Sequence, residues 1–211
     1  DALPSDQVID ETKAHIGFSA VAVRAPEADG GAAILKREPR RLDLSAIAKG
    51  FGVDQISTLL DDRGYANLWV DSGGEVRVKG DKDGLGWKIA VEKPIKGDRA
   101  VEQVLSLKNV ALATSGDYRN YREIDGVAYS HTIDPSTGRP VTHQLASVTV
   151  ADSECAMADG WATALLVLGP DKGYELAVSR KIPAMFIERS GDTFIVKQTP
   201  RFERLLAGEV E

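Results

Sequence analysis

The stretch YSHTIDPSTGRPV, residues 129–141, limits what the chain around it can fold into. Tyr129, His131 and Ile133 alternate with Ser130 and Thr132, the period of a strand with two unlike faces. Pro135 drives Asp134 toward extended geometry, Ser136-Thr137-Gly138 has turn composition, and Pro140 prevents a helix from following. A strand that carries a histidine and a carboxylate into a rigid turn can present reactive groups. Spacing alone favours the plainer reading, a hairpin end with a packed, hydrogen-bonded imidazole. Strand follows strand on both sides, and no glycine-rich strand-to-helix fingerprint occurs, which argues against a doubly wound nucleotide fold.

The whole chain reads as α+β with mainly antiparallel strands and packed helices. Ser5 is the expected N-cap of a short helix that Gly17 stops, with His15 as a charge near its C-terminal end. Strands are expected over 18–23, 32–36 and 41–44, with a turn at 28–31. From Ile47, the residues Phe51, Val53, Ile56, Leu59 and Leu60 recur at helical spacing up to Gly64. Strands over 67–71 and 75–79 flank Ser72-Gly73-Gly74, and others are expected over 87–91, 101–108 and 110–113. Residues 114–121 read as a polar bend, and Asp125-Gly126 as a hairpin turn into the opening stretch. A strand over 146–151 precedes a helix over 155–168, closed by Gly169-Pro170, with Met157, Trp161, Leu165 and Leu168 as its core stripe. A helix over 172–179, a strand over 182–188, a turn at 190–192, a strand over 194–197 and a tail helix over 201–206 complete the chain. No repeat or linker divides it, so one domain is expected across 1–211.

Composition narrows the chemistry. A formal net charge of −6 without a cluster of basic residues demotes nucleic acid as a partner. The one cysteine, Cys155, excludes an internal disulfide and a multi-cysteine zinc site. A metal would therefore be held by oxygens with at most a few imidazoles, which favours magnesium or calcium. No apolar run is long enough to cross a bilayer. The first residues, Asp1-Ala2-Leu3-Pro4, lack a signal peptide and read as a processed or trimmed start.

Two further clusters bear on chemistry. Ser45-Ala46-Ile47-Ala48-Lys49-Gly50 opens a helix with small residues and a lysine that works against the helix dipole. That combination, beside Asp43, suits a corner where backbone amides and Lys49 meet a phosphate, though a solvated lysine has the same spacing. Asp159 and Thr163 stand one helical turn apart, so both can reach one hard cation or form a surface pair.

Five stretches, LDLSAIAKGFGVDQ, the GGE of 73–75, ATSGDYRNY, YSHTIDPSTGRPV, and SVTV with CAMADGWATALLVLG, lie between 41 and 169 in the order found in one family. The chain resembles the FAD:protein FMN transferases, the ApbE proteins once called thiamine-biosynthesis lipoproteins. The resemblance implies a T-fold-related α+β domain that cleaves the pyrophosphate of FAD. It then attaches FMN through a phosphoester to a Thr or Ser hydroxyl of a target flavoprotein, releasing AMP and requiring magnesium. It implies that Asp43 and Lys49 contact FAD and that Ile133 meets the flavin through its backbone. The Ala46 carbonyl, Asp159 and Thr163 match magnesium ligands. His131 matches the base that takes the acceptor proton, with Asp134 as the rival base beside it.

Family members carry an N-terminal portion with further FAD contacts, which this chain lacks. Their targets bear a motif of the form Asp-x-x-Thr-Gly-Ala-Thr. Residues 134–138 begin that way but continue Arg139-Pro140, so the chain resembles the transferase and not its target. The family implies a periplasmic or otherwise extracytoplasmic location, with lipid anchoring at the inner membrane through an N-terminal segment. Competing readings are an FAD pyrophosphatase using water at the same metal site, and an FAD-binding module without competent transfer.

Overall fold

The computed structural model describes residues 4–25, 31–95, 100–117, 121–124 and 127–209. The expected turn tip at 28–30, the bend at 118–120 and the Asp125-Gly126 turn lie outside the described residues.

Ser5 caps α1 (Asp6–Lys13), its hydroxyl accepting the Val8 N–H at 3.4 Å. The helix ends a turn before Gly17, because the His15 and Ile16 amides fall back onto the Thr12 and Lys13 carbonyls and tighten the exit. Residues 18–20 form a 3₁₀ turn, so β1 (Val21–Arg24) is shorter than expected; it pairs antiparallel with β2 (Ala33–Lys36). The strand expected over 41–44 is absent. The Asp43 carboxylate instead accepts the Ser45 amide at 2.8 Å, which sets up the first turn of α2 (Ser45–Asp62). Gly64, at φ 86°, follows the C-cap as expected.

A hairpin follows, β3 (Leu68–Ser72) and β4 (Glu75–Lys79), turned by Gly73 and Gly74 at φ 66° and 101°. β5 (Trp87–Glu92) and β6 (Val101–Leu107) form a separate antiparallel pair. β7 (Val110–Gly116) runs beyond its expected end, since residues 114–116 ladder with β12 (Leu145–Asp152) rather than bending away. Between them lie two antiparallel pairs: β8 (Tyr121–Ile124) with β9 (Val127–Ser130), and β10 (Ile133–Asp134) with β11 (Arg139–Pro140). The strand expected through His131 therefore stops at Ser130. The Ser130 hydroxyl accepts the Thr132 N–H at 3.1 Å and breaks the ladder there. α3 (Cys155–Leu168), α4 (Pro170–Ser179), β13 (Ala184–Ser190), β14 (Thr193–Gln198) and α5 (Pro200–Leu206) finish the chain. A six-stranded sheet in the order β14-β13-β12-β7-β4-β3 is antiparallel throughout.

Alternation along the sheet divides the core. Val148, Val150, Ala184 and Phe186 pack under α3 and α4. Val76, Val78, Leu112, Met185 and Ile187 pack against β5, β6 and Phe202 of α5. The core stripe of α3 departs from expectation: Met157 and Leu168 are exposed, and Cys155, Ala158, Ala162, Leu165 and Leu166 are buried. On α2, Phe51, Ile56 and Leu59 are likewise exposed, whereas Gly50, Val53, Asp54 and Ser57 are buried. The helices cross closely at Gly50, whereas Ala158, Ala162, Leu165 and Leu166 of α3 pack against the sheet. A methyl on Gly50 would lie 2.6 Å from the Cys155 carbonyl carbon and 2.7 Å from the Ala156 nitrogen.

Three ion pairs register α2 on β4: Lys49 with Glu75, Asp54 with Arg77, and Asp61 with Lys79. Strand residues two apart share a face, and α2 supplies their partners in the same chain direction.

Gly50→Ala should lower stability by about 1–3 kcal/mol, because overpacking against main chain outweighs the better helix propensity. A thermal melt checks this, and an unchanged or raised Tm would show that the helices can separate freely. Burial, then the Asp54 carboxylate, pushes the Cys155 thiol up to about 12. At pH 8 only about one thiol in ten thousand is then ionised. Cys155 should stay silent toward an aromatic disulfide reagent in the folded protein and react fully in denaturant.

Candidate active site

A cavity of about 1040 Å³ opens where the first turns of α2, the end of β7, β5 and residues 131–133 meet α3. Asp43, Ala46, Lys49, His131, Ile133, Asp159 and Thr163, proposed from three separate stretches of sequence, all line it. Asp134 does not.

The Asp43 carboxylate accepts from the Ser45 hydroxyl at 2.5 Å and from the Ser45 amide, both of which hold it below the usual carboxylate range. It sits at the α2 N-terminus, where the dipole favours an anion. Lys49 lies one turn further on. Its ammonium donates to Glu75 Oε1 at 2.6 Å while the side chain stays half-exposed at the cavity wall. The Gly50 amide, which a regular helix directs at the Ala46 carbonyl, donates to Asp159 Oδ2 at 3.0 Å. That bond fastens the α3 carboxylate to the opening of α2. Burial pushes the Asp159 carboxyl above its ordinary range, while the Gly50 amide and the Lys49 ammonium oppose the shift. Thr163, one turn along α3, shares a hydrogen bond of 3.0 Å with Ser115 of β7. Thr114 and Thr149 continue the polar lining with a bond of 2.8 Å.

His131 is exposed at the cavity, in the break between β9 and β10, and Ile133 is 48% exposed beside it. Asp134 faces into its own turn. Oδ1 accepts the Ser136 amide at 2.8 Å, and the hydroxyl and amide of Ser136 hold the carboxyl below the usual range. The Asp134 carbonyl also takes the Gly138 amide at 2.7 Å. The turn rests on α1: a methyl on Gly138 would meet Ile9 Cγ2 at 2.7 Å, and Arg139 pairs with Asp6.

Sequence reasoning missed several contributors. Glu75 is buried behind Lys49. Asp54 reaches across from α2 to cap α3, accepting the Cys155 and Ala156 amides at 2.9 Å each, where Glu154 provides no side-chain cap. Trp69 and Lys88 line the cavity from β3 and β5. The available signal was period two along β4, where Glu75, Arg77 and Lys79 alternate with the core valines Val76 and Val78.

Fold and cavity together define an α+β protein with a large cleft lined by apolar, hydroxyl and charged side chains. The ApbE family model matches residues 1–186, and the chain belongs to that family. It is 41% identical over 209 residues to the FAD:protein FMN transferase of Vibrio cholerae, covering 98% of this chain and 61% of the relative. It is 35% identical over 210 residues to that of Escherichia coli K12, covering 98% and 59%. The solved apo flavinyl transferase ApbE of Pseudomonas stutzeri superposes with a TM-score of 0.83 at 37% identity, over 100% of this chain and 63% of that one. The flavin transferase ApbE of Vibrio cholerae gives 0.82 at 40% identity, over 96% and 63%. The chain thus spans less than two thirds of the length of these relatives.

Because Asp54 sets the start of α3 and hence the place of Asp159, Asp54→Ala should cost about 2–4 kcal/mol. It strands one buried and one half-buried amide and takes the carboxylate from Arg77. Chemical denaturation measures the loss; a cost under about 0.5 kcal/mol would show that α3 holds its own start.

Proposed function

We propose that the polypeptide containing this chain transfers FMN from FAD to a Thr or Ser hydroxyl of a target flavoprotein, with AMP as leaving group. The observation that carries this reading is the convergence of Asp43, Lys49, His131, Ile133, Asp159 and Thr163 on one cavity. The names of the relatives, FAD:protein FMN transferases, agree with it.

The donor set fits magnesium. Asp159 offers a carboxylate, Thr163 a hydroxyl and Ala46 a carbonyl along one wall, all hard oxygens. Among the described residues no three His, Cys, Asp or Glu side chains form a cluster. One carboxylate with substrate oxygens completing the shell is a magnesium pattern. The wall's charge argues the same way: Asp43, Asp71, Glu92 and Asp159 outnumber Lys49 and Lys88, so a bare pyrophosphate entering the cavity meets net repulsion. Magnesium bound there would supply charge neutralisation on the pyrophosphate oxygens.

This chain's own residues do the rest. Lys49 sets a fixed positive charge beside the phosphates. Ile133, exposed beside the cavity and held by pairing with Pro140, offers the flavin a backbone edge. His131 takes the proton of the acceptor hydroxyl as its oxygen bonds to the phosphorus on the FMN side, and the phosphorus–oxygen bond to AMP breaks. His131 is preferred over Asp134 because it faces the cavity, whereas the Asp134 carboxylate is engaged by Ser136 and made a weaker proton acceptor. The proposed target carries an Asp-x-x-Thr-Gly-Ala-Thr-like segment. The proposed compartment is periplasmic, with lipid anchoring of the longer polypeptide, and its support is family membership alone. No helix among the described residues is long and apolar enough to cross a membrane.

Incubation with FAD, magnesium and an acceptor peptide, followed by mass spectrometry, tests the reaction. A covalent FMN adduct is expected. Free FMN and AMP without adduct would establish a pyrophosphatase, and neither product a binding module. His131→Ala should lower transfer by about 10²–10⁴ while FAD affinity holds, and Asp134→Asn, which keeps the turn's acceptor oxygen, should lower it far less. The reverse ranking would transfer the base role to Asp134.

A further inference from the structure

The three ion pairs between α2 and β4 do not share one polarity. In two of them the helix supplies the carboxylate, Asp54 or Asp61, and the strand supplies the cation, Arg77 or Lys79. At the cavity end the order inverts: the helix carries Lys49 and the strand carries Glu75. Both choices run against local preference. A cation in the first turns of a helix opposes the dipole, and a carboxylate with 1% of its side chain exposed has lost its hydration. Glu75 Oε1 has Lys49, and Glu75 Oε2 is buried without a hydrogen-bond partner among the described residues. A pair selected for stability alone would follow the polarity of its neighbours and leave no carboxylate oxygen unsatisfied.

We propose that Glu75 is a positioning residue for phosphate binding, anchoring the Lys49 ammonium from behind so that its remaining N–H donors stay directed into the cavity. The proposal rests on the transferase reading for the identity of the ligand, the pyrophosphate of FAD. A lysine has three donors on a flexible stem, and holding one of them on a fixed acceptor removes the freedom that phosphate binding would otherwise have to remove. The hairpin supports the anchor: Gly73 and Gly74 turn the chain immediately before Glu75, so its backbone is fixed by the β3–β4 ladder. The bond also keeps Lys49 from collapsing onto the Asp159 carboxylate, which stays available to a cation.

A double-mutant cycle tests it, using Lys49→Met, Glu75→Gln and the double variant in the longest natural polypeptide that contains these residues. FAD affinity is read by quenching of flavin fluorescence, and KM and kcat by adduct formation. Glu75→Gln should weaken FAD binding and raise KM about tenfold with a smaller change in kcat, the loss of one charge-assisted anchor. The double variant should be no worse than Lys49→Met alone, because the glutamate acts through the lysine. If Gln disturbs folding, Glu75→Met fills a similar volume without charge and should give the same KM effect. Losses that multiply in the double variant, or an unchanged KM in Glu75→Gln, overturn the proposal. Wild-type protein that binds FAD but forms no adduct overturns the transferase reading while the binding cycle still decides the role of Glu75. Wild-type protein that does not bind FAD overturns both.

Discussion

Helices α2 and α3 cross where Gly50 has no side chain, and the backbone of Cys155 and Ala156 occupies the space a methyl would need. Contact at that distance lets two groups on α2 reach α3 directly. The Gly50 amide binds the Asp159 carboxylate, and the Asp54 carboxylate binds the first amides of α3. Residues more than a hundred positions apart in sequence thereby become one rigid wall. The cost is a carboxylate drawn partly out of water, visible in the upward shift of Asp159. A wider crossing with larger side chains would restore hydration to Asp159 and separate it from Ala46. The glycine thus bears on the chemistry as much as on the packing.

The same crossing explains which parts of the helices could be read in advance. Helical period over 47–62 and 155–168 was plain, as was the β3–β4 hairpin around Gly73-Gly74. The buried faces were legible only in part: Val53 and Leu165 are buried as expected. Large apolar residues such as Phe51 and Met157 mark an apolar stripe by size, yet they are exposed, and at the crossing the inward residues are Gly50, Asp54 and Cys155. A close helix pair rewards smallness, which a hydrophobic count scores low. The strand expected over 41–44 failed for a related reason. Its alternation was genuine, but strands need a partner, and the Asp43 carboxylate gave that segment a local bond to Ser45 instead.

Several cavity-lining residues were more legible than their supports. Asp43, Lys49, His131, Asp159 and Thr163 stood out by residue type and spacing, and all five line the cavity. Glu75, Asp54 and Ser115 meet other side chains and amides, and their roles exist only once α2, α3 and the sheet are placed together. Even so, the charged face of β4 was open to inspection. A strand with Glu75, Arg77 and Lys79 on one side and core valines on the other must offer its charges to something, and α2 meets them in order with one lysine and two carboxylates.

His131 and Asp134, three residues apart, were rivals for one role, and the backbone between them separates the two. Past Ser130 the β9 ladder is interrupted and the chain re-pairs only at Ile133. That leaves His131 in a gap facing the cavity and returns Asp134 to a ladder whose turn consumes its oxygens. A base must face the substrate and keep its affinity for a proton. Asp134 faces its own turn instead, and each hydrogen bond that tightens the turn also lowers its carboxyl's affinity for a proton. The carboxylate is better suited to fixing the geometry that presents the imidazole. With α1 propping the far side of the turn through Ile9, Lys13 and the Asp6–Arg139 pair, the backbone that carries the histidine is held from outside the cavity.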